Sequence, residues 1–170
     1  MGARIWKLTS LALRAVAIVL LLSQSTSCTS DQGRRVTTAA IAVSGTIVHG
    51  LVQANRDIYV HATDAIRAHA QGPDYTREVA PINLVFEARS RALQALSADL
   101  YAAAAMVDAT RGTDGGLSAY ADVARTLIDA IERDIAVLRE GAVLPAVPIP
   151  QAIDGILTTL RGIAGIAGGH

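Results

Sequence analysis

The sequence predicts an all-α protein, an antiparallel four-helix bundle that follows a cleaved signal segment. Beyond residue 35, apolar residues recur at helical spacing in four segments. No stretch alternates apolar and polar residues as a half-buried strand does. Four helices that each carry an apolar stripe, joined by short loops, bury those stripes by packing antiparallel. The length of 170 residues fits one domain, and the 51% share of apolar residues excludes global disorder.

The first 27 residues are typical of a bacterial secretory signal. Arg4, Lys7 and Arg14 give a positive start that contains no acid, and the apolar run AVAIVLLL follows at residues 15–22. The exit from this run is small and polar, as a signal peptidase site requires. The run is far shorter than the ~20 residues that a permanent membrane-spanning helix needs. We therefore expect residues 1–27 to be removed on export.

The only cysteine of the chain, Cys28, stands at the expected cleavage point. Residues 20–28 resemble the lipobox of bacterial lipoproteins, with Thr26 and Ser27 before the cysteine, although Ser25 stands where that family usually has leucine. The resemblance implies that Cys28 is lipidated and becomes the first residue of the mature chain. Ser25 and Ser27 also fit an ordinary cleavage site, so a secreted or periplasmic soluble protein is the alternative.

A polar tether at residues 28–35 and a bundle domain at residues 36–170 follow the signal. The first helix is predicted over residues 36–71, because Gly72-Pro73 is a typical helix stop. Its start is rich in β-branched residues and contains Gly45, so a bent or partly irregular start is the alternative. Its stripe comprises Ile41, Val48, Leu51, Ile58, Ala62, Ala65 and His69, with Ser44 and Asn55 as polar members.

Three further helices complete the prediction. The second covers residues 81–110, with Pro81 in its first turn, where proline costs no hydrogen bond. The third covers residues 117–140. A proline-rich connector separates it from the fourth helix at residues 151–167. The second helix has the clearest stripe: Val79, Phe86, Leu93, Leu100 and Val107.

A metal-binding bundle is one alternative function. Asp57, His61 and Asp64 lie at positions i, i+4 and i+7, so one helix face presents two carboxylates and an imidazole, which are ordinary ligands of zinc or iron. The competing interpretation is a solvated face on which Arg67 pairs with Asp64. No predicted helix carries the Glu-x-x-His motif of di-iron bundles, so we expect no cofactor.

Two polar residues, Asn55 and Arg89, fall on stripes that are otherwise apolar. A polar residue on a helix seam fixes register or partner choice at a cost in stability. The alternative is that each marks a place where the stripe opens to a cleft or an interface. Met106 is expected in or near the core.

The sequence predicts a binding or assembly role without catalysis. No nucleophile elbow and no phosphate-binding loop is present, and the zero net charge gives no electrostatic case for nucleic-acid binding. We expect a helical protein of the cell envelope, held at a membrane by its lipid anchor, which contacts a second copy or another envelope protein. The remaining alternative is an integral membrane protein with a second spanning segment at residues 36–55.

Overall fold

The computed structural model describes residues 30–110 and 116–166, and this part of the chain is all-helical, as the sequence predicts. The signal segment and Cys28 lie outside the described residues. The described residues form the helices α1 (Ser30–Arg67), α2 (Gly72–Ala109), α3 (Gly116–Arg139) and α4 (Ala152–Ile166).

Consecutive helices pack side by side in opposite directions. α1 packs on α2, α2 on α3 and α3 on α4, and α4 closes the group against α1. The contacts between Asn55 and Ser90 and between Tyr59 and Phe86 run in opposite directions along α1 and α2. This packing is compatible with the predicted helical bundle.

The core lies between the apolar faces of the helices and is built mainly from leucine, isoleucine, valine and alanine. Each leucine, isoleucine or valine side chain contributes roughly 1.5–3 kcal/mol when it is removed from water. Leu51 of α1, Leu138 of α3 and Leu160 of α4 are among the most completely buried. α2 contributes Val79, Ile82, Ala92, Leu93, Leu96, Leu100, Ala103 and Val107.

α1 is longer at its start than the sequence predicts and continues without interruption to Arg67. Residues 30–35, predicted as part of the tether, belong to the helix. The hydroxyls of Thr37 and Ser44 donate to the carbonyls of Gly33 and Ala40 one turn earlier. Both side chains are buried. Burial of this face against the bundle outweighs the weak helix propensity of its β-branched residues.

α2 begins nine positions earlier than predicted, at Gly72, so the prediction that Pro81 occupies the first turn is wrong. The Gly72-Pro73 pair, predicted to end the first helix, instead starts the second. Gly72 adopts a positive φ of 57°, and Pro73 occupies the first turn. Pro81 lies inside the helix with its side chain exposed, where the missing backbone N–H is best tolerated.

The connector between α3 and α4 is held against the bundle by its apolar residues. Leu144 and Val147 are buried, and the backbone N–H of Val147 donates to the carbonyl of Leu138 at 3.0 Å. The connector thus covers the end of α3. α1 and α2 are longer than α3 and α4, so their joined ends extend past the connector as a two-helix hairpin.

Candidate binding groove

A long groove runs between α1 and α2 and has a volume of about 860 Å³. We call it the α1–α2 groove. Residues 41–60 of α1 supply one wall, which is about 28 Å long at ~1.5 Å per residue. The lining residues on α1 are Ile41, Ala42, Gly45, Val48, His49, Val52, Asn55, Arg56, Tyr59 and Val60. Those on α2 are Phe86, Ser90, Leu93, Gln94, Ser97, Leu100, Tyr101 and Ala104.

Both walls follow the alternating spacing of four and three residues that is typical of helix seams. On α1 this row contains Ile41, Gly45, Val48, Val52, Asn55 and Tyr59. On α2 it contains Phe86, Ser90, Leu93, Ser97, Leu100 and Ala104. Such spacing keeps one face of a helix toward a neighbouring helix over several turns. Val48, Leu93 and Leu100 of these rows also belong to the buried core, so the groove runs along the edge of the core-facing stripe of each helix.

Three large apolar side chains on the groove are exposed. Val52 and Val60 each retain 42% of their accessible surface, and Tyr101 retains 77%. These side chains are spread along the groove, and exposed apolar residues that line a groove are typical of interaction sites.

Arg56 carries the only formal charge among the described residues that line the groove. It has no hydrogen bond or ion pair within the described part of the chain. The carboxylate of Glu87 on α2 is likewise unpaired, since no side chain of residues 30–110 or 116–166 bonds to it. Arg91, which the sequence places four residues later, donates instead to the Glu87 backbone carbonyl at 3.4 Å.

Asn55, one of the two predicted seam residues, is buried where the groove meets the bundle. Its Nδ2 donates to Ser90 Oγ over a long 3.4 Å, and its Oδ1 has no hydrogen-bond partner. One turn further on, Tyr59 stacks on Phe86 with ring centroids 4.3 Å apart and donates its hydroxyl to Asn83 Oδ1 at 2.9 Å. These contacts tie α1 to α2 at one end of the groove.

Arg89, the other predicted seam residue, is completely buried but faces away from the groove, toward the connector. Its guanidinium donates to the carbonyls of Pro145 at 2.9 Å, Leu144 at 3.3 Å and Glu140. Burial lowers the pKa of Arg89 from its ordinary value, and the charge of Glu140 opposes this shift. Arg89 therefore joins α2 to the end of α3.

The predicted metal ligands are not brought together. Asp57, His61 and Asp64 are exposed, and no group of three metal-ligating side chains occurs within the described residues. The first and last of the three are seven positions apart, which is about 10 Å along a helix and too far for one ion to bridge. Asp64 pairs with Arg67 at 2.7 Å, as the solvated-face interpretation predicts.

A second charged contact ties α2 to α3 on another surface. Arg133 donates to Asp134 and, across the helix pair, to Asp99 at 2.8 Å. The hydrogen bonds to Asp134 and Asp99 raise the pKa of Arg133. Its side chain is well exposed. The contact is a surface clamp between helices and does not form part of the groove.

The sequence predicts a cleft only as the alternative interpretation of Asn55 and Arg89, and it misplaces Met106 and His69. Met106, predicted in or near the core, is 53% exposed, and His69, predicted on the α1 stripe, is exposed and contacts Glu78 at 3.1 Å. The Met106 prediction relied on the general burial preference of methionine, and His69 lies beyond the end of α1 at Arg67. The groove would have been found by extending each apolar stripe to the neighbouring positions that carry serine and glycine.

Within the described residues, α1 is long and apolar enough to cross a membrane by length and composition. In its most apolar 18-residue segment, 44% of the helix is buried inside the protein. Core helices of water-soluble proteins can be equally long and apolar. No protein-family model, curated protein or solved structure matches the chain.

Proposed function

We propose that this chain is an exported helical protein of the cell envelope, anchored to a membrane through lipidated Cys28, that acts as a binding or assembly module. The observation that carries the binding role is the α1–α2 groove, with its seam spacing and its exposed Val52, Val60 and Tyr101. The leader and the position of Cys28 support export and anchoring. In this proposal the chain has no catalytic site and works through helix contacts.

The anchor is tested by replacing Cys28 with serine in the full chain. Because a serine cannot carry the thioether-linked lipid, we expect the Cys28→Ser chain to leave the membrane fraction and to incorporate no labelled fatty acid. Unchanged labelling and unchanged fractionation would contradict the anchor.

The binding role is tested by a photoreactive residue at position 52, inside the groove, in living cells. A matched control carries it at Val143, whose exposed fraction of 47% resembles the 42% of Val52 but which lies on the connector. We expect crosslinked products from position 52 and few from position 143. Equal labelling from the two positions, or none from either, would contradict a binding role for the groove.

A second candidate function is an integral membrane protein in which residues 36–55 span the bilayer. The composition of α1 favours it. This candidate predicts that the Cys28→Ser chain resists alkaline extraction from membranes, whereas the lipid-anchor proposal predicts its release. The polar residues Thr37, Ser44 and Asn55 within the segment raise its cost of insertion.

A further inference from the structure

We propose that the α1–α2 groove binds a second copy of this chain, in a dimer whose two-fold axis runs parallel to the helices. This inference rests on the proposed binding role of the groove and names its occupant. It is carried by two rows of side chains that border the groove and that complement each other between copies.

The outer border of α1 is formed by Ala42, His49 and Arg56, which are seven positions apart and lie in one row. The outer border of α2 is formed by Glu87, Gln94 and Tyr101, which share the same spacing. Gln94 and Tyr101 line the groove, and Glu87 continues their row by two turns. Each border therefore has a charged residue at one end and a polar residue in the middle. The other end carries a small side chain on α1 and a large one on α2.

The relative height of the two rows is fixed by contacts within one chain. Asn55 lies beside Ser90, and Tyr59 lies beside Phe86, so that each step forward along α1 corresponds to one step back along α2. On this register Arg56 lies within two positions, about 3 Å along the helix, of the level of Glu87 on the opposite border, and Ala42 lies equally close to the level of Tyr101. Inside one chain the groove keeps the two rows apart, and no contact joins Arg56 to Glu87 within the described residues.

A two-fold axis parallel to the helices preserves these heights and lays α1 of one copy against α2 of the other, in opposite directions. Arg56 of each copy then meets Glu87 of the other, and His49 meets Gln94. The exposed ring of Tyr101 meets Ala42, the smallest member of the opposite row. Two unpaired charges are thus paired twice, and neighbouring helices are antiparallel throughout, as in a four-helix bundle.

A perpendicular two-fold axis lacks this complementarity. It would lay α1 on α1 and reverse the heights, so that Arg56 would face Ala42 and Glu87 would face Tyr101. Both charges would stay unpaired. The parallel axis also starts α1 of both copies at the same end of the dimer. Two chains anchored through Cys28 to one membrane surface require this arrangement.

The size of the groove suits a reversible dimer. Its length of about 28 Å and the width of two helices, about 20 Å, give roughly 1,000 Å² of covered surface for the pair. This area is at the lower limit of specific interfaces. A lipid acyl chain is the competing occupant, because the volume lies within the range of small-molecule sites. An acyl chain, however, has neither a helical repeat that would match the seam spacing of the two walls nor a charge that would pair with Arg56 or Glu87.

The first experiment links two full-length chains in the cell. One tagged chain carries Arg56→Cys and a differently tagged chain carries Glu87→Cys. We expect a disulfide-linked product that contains both tags. The control combines Glu87→Cys with Val143→Cys and should give little product. Linkage of Arg56→Cys to Ala42→Cys in place of Glu87→Cys would overturn the parallel axis.

The second experiment reverses the charges in protein purified in the form that the cell makes. We expect Arg56→Glu or Glu87→Arg to weaken the dimer by roughly tenfold in sedimentation equilibrium, since two attractive pairs become repulsive. The double variant should restore the dimer to within about threefold of the original. A structural role inside one chain would show no such rescue, because the two side chains do not touch there.

A protein that stays monomeric at all concentrations overturns the dimer. A native mass that shows a lipid in addition to the one on Cys28, lost in Val52→Glu, overturns it too. A monomer that crosslinks a different protein from position 52 also overturns it but leaves the proposed binding role intact. Failure of the binding role itself would appear as equal labelling from positions 52 and 143.

Discussion

Arg89 is a buried cation whose charge is balanced by backbone carbonyls and not by a direct ion pair with a carboxylate. Three carbonyls at the end of α3 and in the connector accept its hydrogen bonds. The carboxyl end of a helix carries partial negative charge, which favours a cation at this place. The side chain therefore satisfies the carbonyl just beyond the end of α3 and two carbonyls of the connector, and it fixes the connector to α2.

We predict that Arg89→Met lowers the free energy of unfolding by about 3 kcal/mol, because the carbonyls of Glu140, Leu144 and Pro145 lose their donor in a buried place. Arg89→Lys should recover only part of this loss, since an ammonium group cannot match the planar guanidinium. Urea denaturation followed by circular dichroism measures the change. The control is Arg139→Met, at an exposed position in the last turn of α3. It should change stability by no more than about 0.5 kcal/mol. Equal effects at the two positions would show that the buried arginine contributes no special stability.

Asn55 is also a buried polar residue, and its Oδ1, like the Nε of Arg89, has no hydrogen-bond partner. An unsatisfied buried polar atom costs free energy that an apolar side chain of similar size does not. We predict that Asn55→Leu raises the free energy of unfolding by about 1 kcal/mol. The matched variant is Asn83→Leu, which should lower stability because Asn83 accepts the Tyr59 hydroxyl at 2.9 Å.

The two asparagine variants should therefore change the free energy of unfolding in opposite directions. Thermal or urea unfolding of both variants measures these changes. Loss of stability in Asn55→Leu equal to that in Asn83→Leu would contradict the cost assigned to the Oδ1 atom. If Asn55 also fixes register, as the sequence suggests, the more stable variant should associate into a mixture of species.

At the scale of the elements, α1 is helical from Ser30 to Arg67 although it contains three glycines, Gly33, Gly45 and Gly50. A Cβ atom added at Gly45 or Gly50 would meet no atom within 4 Å, and neither glycine has a positive φ. Gly45 and Gly50 are therefore not required by the backbone conformation of α1 or by a close neighbour.

We predict that Gly50→Ala raises the free energy of unfolding by about 0.5–1 kcal/mol, because alanine loses less backbone entropy in a helix. Gly72→Ala is the control, and it should lower stability because Gly72 has a φ of 57°. Denaturant midpoints of both variants test the prediction. A destabilising Gly50→Ala would mean that α1 needs flexibility at that turn.

The number and approximate bounds of the helices in the described residues could be predicted from apolar spacing and from the glycine and proline punctuation. The starts of α1 and α2 could not. At both places tertiary packing and turn chemistry decide the boundary, and Gly72-Pro73 serves equally well as a stop or a start. The groove was hidden because Ser90, Ser97 and Asn55 interrupt its apolar rows, and only the structure shows that these rows face each other.

At the scale of the whole molecule, unequal helix lengths decide which surface is left uncovered. α3 and α4 contain 24 and 15 residues, whereas α1 and α2 contain 38 each. α3 covers α2, and α4 packs against α1, but no helix within residues 30–110 or 116–166 lies on the face that holds the α1–α2 groove. The apolar surface that remains is thus concentrated on one face of the long hairpin.

We therefore predict that Val52→Glu weakens self-association at least tenfold, since a carboxylate would be buried in an apolar contact. Val143→Glu should leave it unchanged, because that equally exposed valine lies on the connector, away from the groove. Both variants should keep the helical content and unfolding midpoint of the original protein, because each side chain is already in contact with water. Sedimentation equilibrium measures association, and circular dichroism measures folding. Equal weakening by the two glutamates would place the contact elsewhere, and loss of fold in Val52→Glu alone would mean that this face is part of the core.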